Sequence, residues 1–234
     1  MKIDSVELFP SLLFSYFWEE HDTLNNQLRD VILEEEKKSS GILTSNAGGW
    51  HSEKNLETWG HQCVNTLLSK IIELALKVIP PTVSSFPYPE EILCGWRIQA
   101  WANVNRHGNF NKYHHHTRNM NLWSGVYYVD VGGQSSAVGG QIIFADQHRP
   151  GFKEQPALFA RYAITPQSGL MLLFPSSLGH RVEPYTGTAE RITVAFNLRH
   201  EKLTTLNYEI EKKQTAKKAK EQSTSVSEAS SSGS

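Results

Sequence analysis

Trp96-Arg97-Ile98-Gln99-Ala100-Trp101-Ala102-Asn103-Val104 alternates residue by residue, with Arg97, Gln99, Trp101 and Asn103 on one face. A period of two marks a strand whose two faces meet different surroundings. Related segments follow. Residues 121–130 carry Val126-Tyr127-Tyr128-Val129, β-branched and aromatic. Gln141-Ile142-Ile143-Phe144 reads as a strand after a Gly/Ser-rich turn over 132–140. Gly169-Leu170-Met171-Leu172-Leu173-Phe174 is stopped by Pro175, and residues 191–198 form another strand. Short strands separated by Gly/Pro turns, with few helical patterns, predict a barrel or sandwich.

Upstream the texture is helical. Leu24, Leu28, Ile32 and Leu33 make an apolar stripe over 22–38. Trp59, Cys63, Leu67, Ile71, Leu74 and Ala75 do the same over 56–78, with an expected stop before Pro80-Pro81. Residues 3–17 are expected to hold a first strand bent at Pro10. Residues 39–50 and 79–92 read as loops. The fold class is therefore α+β, in one domain over 1–210, with helical support at about 20–80 and a β core at about 93–200. From 211 a Lys- and Ser-rich tail has no apolar anchor and is expected to be disordered.

Composition excludes several classes. A net charge of -1 gives no global field toward nucleic acid or an anionic membrane, so neither is expected as a partner. No run approaches the roughly 20 apolar residues that span a bilayer. Acids near the N-terminus do not fit a signal peptide. Cys63 and Cys94 are two thiols in unrelated segments, which fits a reducing cytoplasm.

Chemistry concentrates in Tyr113-His114-His115-His116-Thr117 and in the segment from Phe174 through His180 to Arg191-Ile192-Thr193. On a strand, His114 and His116 share a face while His115 points away. Imidazole suits Fe, Zn, Cu or Ni. His180 would close a three-histidine facet if the strand ending Phe174-Pro175 lay beside the His114 strand. Three ligands on one facet leave coordination positions open, as dioxygen chemistry requires. His115 stands as a substitute if the register differs, and Asp146 as the runner-up third ligand. Arg191 and Thr193 share a face of an apolar strand. A guanidinium fork with a hydroxyl beside it is shaped for a carboxylate. The alternative is an internal ion pair of Arg191 with Glu190 or Glu183.

Together these residues resemble the Fe(II)/2-oxoglutarate oxygenases, and within them an uncharacterised bacterial and phage branch related to prolyl-hydroxylase-like enzymes. The matching stretches are Trp101–Gly108, Tyr113–Thr117, Trp123–Val129, Gly140–Asp146, Gly169–Ser176 and His180 with Glu190–Asn197, with Gly49-Trp50-His51-Ser52 upstream. The resemblance implies a double-stranded β-helix (jelly-roll, cupin-like) with the N-terminal helices packed outside. It implies Fe(II) held by His114, His116 and His180, and 2-oxoglutarate held by Arg191 and Thr193. It also implies a reaction that uses dioxygen and yields succinate while oxidising, by hydroxylation, a small-molecule or peptidyl substrate. The family's usual carboxylate ligand falls on His116. A three-histidine site is one unit more positive and calls for a compensating acid, with Asp130 or Asp146 as candidates.

Asn103 and Asn105 are candidate partners for co-substrate or substrate. The long polar segment 131–163 has the character of a lid, and its Arg149 and Arg161 are candidates to meet an acidic substrate. Trp101, Trp123, Tyr127 and Tyr128 read as core. Two rival readings remain open: a cupin-like three-histidine metalloenzyme without 2-oxoglutarate, and a non-catalytic β-sandwich binding module. Exposed sheet edges are compatible with a homodimer.

Overall fold

The structure, a computed structural model, describes residues 11–82, 95–133, 139–145 and 161–201. Residues 1–10, Cys94, Asp146, Arg149 and the segment from 211, all given expectations above, lie outside these. The described chain runs β1 (Phe14–Phe17), α1 (Asp22–Lys38), β2 (Asn46–Ala47), β3 (Trp50–His51), α2 (Gln62–Thr82), β4 (Trp96–Asn105) and β5 (Phe110–His114). It continues with β6 (Trp123–Asp130), β7 (Ile142–Ala145), β8 (Arg161–Ile164), β9 (Leu170–Pro175), β10 (His180–Val182) and β11 (Arg191–His200).

Two antiparallel sheets form, in the orders β1-β9-β6-β11-β4-β3 and β2-β5-β10-β7-β8. The alternation seen in the sequence becomes two buried faces on the larger sheet. One face, with Ala100, Ala102, Val104, Tyr127, Val129, Met171, Leu173, Ile192, Val194, Phe196 and Leu198, joins the core that α1 and α2 cover. The helices contribute the predicted stripes, Leu24, Leu28 and Ile32 from α1 and Cys63, Leu67, Ile71 and Ala75 from α2. The opposite face turns toward the smaller sheet. There Tyr128, Leu172 and Phe174 pack with Ile142 and Phe144. This is the double-stranded β-helix with helices outside. Among the described residues, no helix is long and apolar enough to cross a membrane.

Four local expectations change. Residues 39–50 are not only loop: Gly48 and Gly49, both at φ +71°, turn the chain between β2 and β3. That left-handed backbone favours glycine. The turn also crosses sheets, since β2 pairs with β5 and β3 with β4. The second helix starts later, because Gly60 at φ +76° separates a short 3-10 turn at Leu56–Thr58 from α2. It then continues past Pro80 and Pro81 to Thr82. Proline's fixed φ is itself near-helical, and near a helix end the missing donors disturb few bonds. Finally, β8 lies in what reads as polar connection. Its first three residues are exposed, so no burial stamps a pattern on them.

Where β6 lies between β9 and β11, one position has no room for a side chain. A Cβ on Gly125 would stand 2.3 Å from the Leu172 carbonyl oxygen and 2.3 Å from the tip of the Phe196 ring. The carbonyl is held by the sheet and cannot yield. Gly125→Ala is expected to destabilise the fold by about 1–3 kcal/mol, the usual scale of overpacking. A urea unfolding midpoint equal to that of the parent would contradict this close approach.

Candidate active site

The three histidines reach one point by a route the sequence only half foretold. β5 ends at His114, and His116 lies two residues beyond, where its backbone N–H donates to the Ser176 carbonyl at 2.8 Å. His180 is not carried by the strand ending at Pro175, which is β9 in the larger sheet. A tight turn, closed by Leu178 N–H to the Pro175 carbonyl at 2.9 Å, carries the chain across to β10. There His180 pairs directly with His114. Ring centroids stand 4.4 Å apart for His114–His180, 4.8 Å for His114–His116 and 5.2 Å for His116–His180. One ligand atom from each lies within 4.8 Å of the others.

Backbone carbonyls orient two of the rings. His114 Nδ1 meets the Lys112 carbonyl at 2.7 Å, and His180 Nδ1 meets the Leu178 carbonyl at 2.9 Å. A carbonyl only accepts, so each Nδ1 carries the proton and each Nε2 keeps its lone pair. This is the common preparation of a metal-binding imidazole. His115 turns away, exposed, toward the Thr117 hydroxyl at 3.1 Å. It is not part of the cluster.

All three clustered rings are held neutral. Burial, then the charges of His180 and His114, push His116 down to about 2. Burial, then His114, pushes His180 down to about 3, and burial lowers His114. Neutral imidazole is the metal-binding form. In the unfolded chain these rings take up protons below their ordinary 6.5; in the folded chain they do so only far lower. The unfolded state thus binds more protons as the pH falls, and the metal-free protein is expected to lose stability from pH 6.5 down to about 2. Urea midpoints taken with a chelator present measure this. A midpoint flat across that window would mean the rings are not buried as neutral groups.

Across the cavity stands Arg191, only 2 % exposed. Its Nη2 donates to the Gly140 carbonyl at 3.0 Å, while Nε has no partner. The Tyr128 ring lies 5.4 Å from the guanidinium carbon. Burial pushes the Tyr128 hydroxyl up to about 12, so it stays a neutral neighbour. The ion-pair alternative is not what forms. Glu190 pairs with Arg29 at 3.2 Å, and Glu183 with Arg181 at 2.6 Å. Among the described residues no carboxylate meets Arg191. Gly140 is needed beside it: φ is +72°, and a Cβ would come within 2.9 Å of Arg191 Nε.

The antiparallel register places the other polar residues. Arg191 is opposite Asn105, Thr193 opposite Asn103, and Ala195 opposite Trp101. The Asn103 amide donates to the Thr193 hydroxyl at 3.4 Å. Asn105 is buried with an unpartnered Oδ1, but it lies behind the cavity wall rather than in it. Asp130 is not the compensating acid, since Arg29 holds it at 3.2 Å and it does not line the cavity. Arg161 is exposed at the start of β8, also off the cavity wall.

A single cavity of about 820 Å³ contains the three histidines together with Arg191, Thr193 and Asn103. It also holds residues that sequence reasoning left aside. Trp101 and Tyr128, read as core, both line it. His51 stacks on Trp101 with centroids 5.6 Å apart and planes 9° from parallel, and Lys54 Nζ lies 4.7 Å from the same ring. The only signal for His51 was the Gly49–Ser52 stretch, which said nothing of its place, and nothing in the sequence singled out Lys54.

A neutral nitrogen triad and a buried, partly unpaired guanidinium in one cavity are suited to a divalent metal plus a carboxylate-bearing ligand. Residues 99–197 match a family model described as putative 2OG-Fe(II) oxygenase. No curated protein matches the chain in sequence. Among solved structures, a prolyl-4-hydroxylase from Pseudomonas putida aligns with a TM-score of 0.58 at 14% identity, covering 80% of this chain and 92% of its own. A prolyl hydroxylase from Trichoplax adhaerens, solved with a hypoxia inducible factor peptide fragment, aligns at 0.58 and 15%, covering 83% and 86%. The non-heme alpha ketoglutarate dependent carbocyclase SnoK from nogalamycin biosynthesis aligns at 0.53 and 12%, covering 80% and 78%. At these identities the likeness is one of fold.

Proposed function

We propose that this chain, a member of the 2OG-Fe(II) oxygenase superfamily, is a hydroxylase in which His114, His116 and His180 hold Fe(II) and Arg191 with Thr193 holds 2-oxoglutarate. The observation that carries this is the pairing, in one cavity, of the neutral histidine triad with a buried guanidinium whose Nε is unpartnered. An orphaned buried cation of this kind is costly unless a ligand anion completes it. Iron bound at the triad would supply dioxygen activation, coupling decarboxylation of 2-oxoglutarate to succinate with oxidation of substrate.

The chain's own contribution is positioning. The Lys112 and Leu178 carbonyls aim two imidazoles inward. Arg191 offers a fork to the far carboxylate of the co-substrate, and Thr193, fixed by Asn103, adds a hydroxyl beside it. Phe144 and Phe174, with ring centroids 5.8 and 4.9 Å from His180, keep water off the innermost ligand. A metalloenzyme that did without 2-oxoglutarate would leave Arg191 with no counter-ion. A binding module without metal would leave three clustered neutral imidazoles with no task.

The test is anaerobic titration of the full chain with Fe(II) and then 2-oxoglutarate, followed by a screen of small-molecule and peptidyl substrates read as succinate formation. Stoichiometric iron and saturable 2-oxoglutarate binding are expected. Iron binding without any binding of 2-oxoglutarate would sink the assignment.

A further inference from the structure

The cavity wall is lopsided in charge. Arg191, Lys54, Lys112 and Arg118 line it, and among the described residues no Asp or Glu does. That contrasts with a chain whose net charge is only -1. The imbalance is sharpest at Lys54. Lys112 and Arg118 are exposed, where water screens them, but Lys54 is half-buried. Its ammonium sits over the Trp101 ring at 4.7 Å, and no carboxylate among the described residues pairs with it. Desolvation and the neighbouring Arg118 charge push Lys54 below the ordinary lysine range, as expected of a cation that lacks its anion.

Neither iron nor co-substrate supplies that anion. Of the two carboxylates of 2-oxoglutarate, one would go to the metal with the 2-oxo group and the other to Arg191, so neither is left for Lys54. We propose, resting on the oxygenase reading above, that the substrate is a small carboxylic acid whose carboxylate sits against Lys54, with Arg118 beside it and the aliphatic or ring part lying on Trp101. Size follows from position. Trp101 is 5.7 Å by centroids from His116, so a single aromatic ring separates the ammonium from the metal-ligating cluster. An anchor so close leaves only a few bonds between the carboxylate and the carbon presented for oxidation. The cavity volume also lies in the range of small-ligand sites. His51, which also lines the cavity, stacks on Trp101 and is tied to the Ser52 carbonyl, so it holds that ring in place.

The experiment uses the full chain loaded anaerobically with Fe(II) and saturating 2-oxoglutarate. Calorimetry then measures binding of free amino acids, short aliphatic acids and aromatic acids, each against its primary amide. Acids are expected to bind and their amides to bind about 10- to 100-fold more weakly, the effect of losing one charge-assisted hydrogen bond. Lys54→Met keeps the stem over Trp101 and removes the charge, and should weaken the acids by the same factor. Lys54→Arg should stay within a few-fold of the parent. If the Met variant fails to fold by thermal melting, Lys54→Gln takes its place. Amides binding as well as acids, acids indifferent to Lys54, binding confined to acidic peptides, or no acid bound at all would each overturn the proposal. A parent chain that fails to bind 2-oxoglutarate overturns the oxygenase reading instead, which the first titration step reports separately.

Discussion

His180→Ala is expected to remove stoichiometric iron and, with it, succinate formation. His180 is 5% exposed, and its Nδ1 is already committed to the Leu178 carbonyl, so Nε2 is free for a metal and little else. Changing the partner behind a ligand typically costs 10- to 100-fold in metal affinity or activity. Deleting the ligand itself should exceed about 100-fold, since water in its place lacks the fixed geometry. The vacated space is small and bordered by Phe144 and Phe174, so the fold should persist. Iron content by elemental analysis and succinate by mass spectrometry check this. His115→Ala, one residue from two ligands but exposed and outside the cluster, is the matched control, and it should keep its iron. Iron lost equally from both variants would mean that the cluster is not the metal site.

Arg191→Met should act with opposite signs on stability and on co-substrate binding. The guanidinium is buried with Nε unpartnered, and its charge has no carboxylate beside it among the described residues. Replacing such a group by an apolar side chain of similar reach is often stabilising, by about 1–4 kcal/mol where buried ions have been exchanged in this way. The ligand-free protein should therefore melt higher than the parent. Binding of 2-oxoglutarate should weaken by about 30-fold or more, because truncating one side of a buried charge pair costs at least about 2 kcal/mol and leaves the other charge unpaired. Calorimetry with 2-oxoglutarate and thermal melts without it give the two readings. A melting point that falls together with affinity would assign Arg191 to structure rather than to the ligand.

Much of this architecture could be read from the chain because burial imposes a period. On β4 and β11 the alternation separated residues facing the helices from those facing the cavity, and the faces assigned to Asn103 and Thr193 are the ones observed. The stripe on α1 was equally legible, since one face meets a sheet and the other water. Legibility failed where burial gives no pattern. Exposed β8 has no alternation to read. Trp101 and Tyr128 are buried whether they fill a core or wall a cavity, and their residue types cannot tell these apart. Gly60 announced a helix break that the apolar stripe on either side concealed.

Sequence alone determined the ingredients of the site: two histidines at strand spacing, a third downstream, an arginine and a threonine two apart, and no acid in the usual ligand position. Those are local facts, fixed by residue type and backbone period. Tertiary structure decided how they meet. The tight turn after Pro175 moves the chain from one sheet to the other, so that His180 lies opposite His114. The same packing leaves Arg191 without an acid partner among the described residues and sets Lys54 over Trp101, 47 residues further along the chain. Such juxtapositions depend on which strands pair and how two sheets face each other. They come from long-range burial, which no short window of sequence encodes.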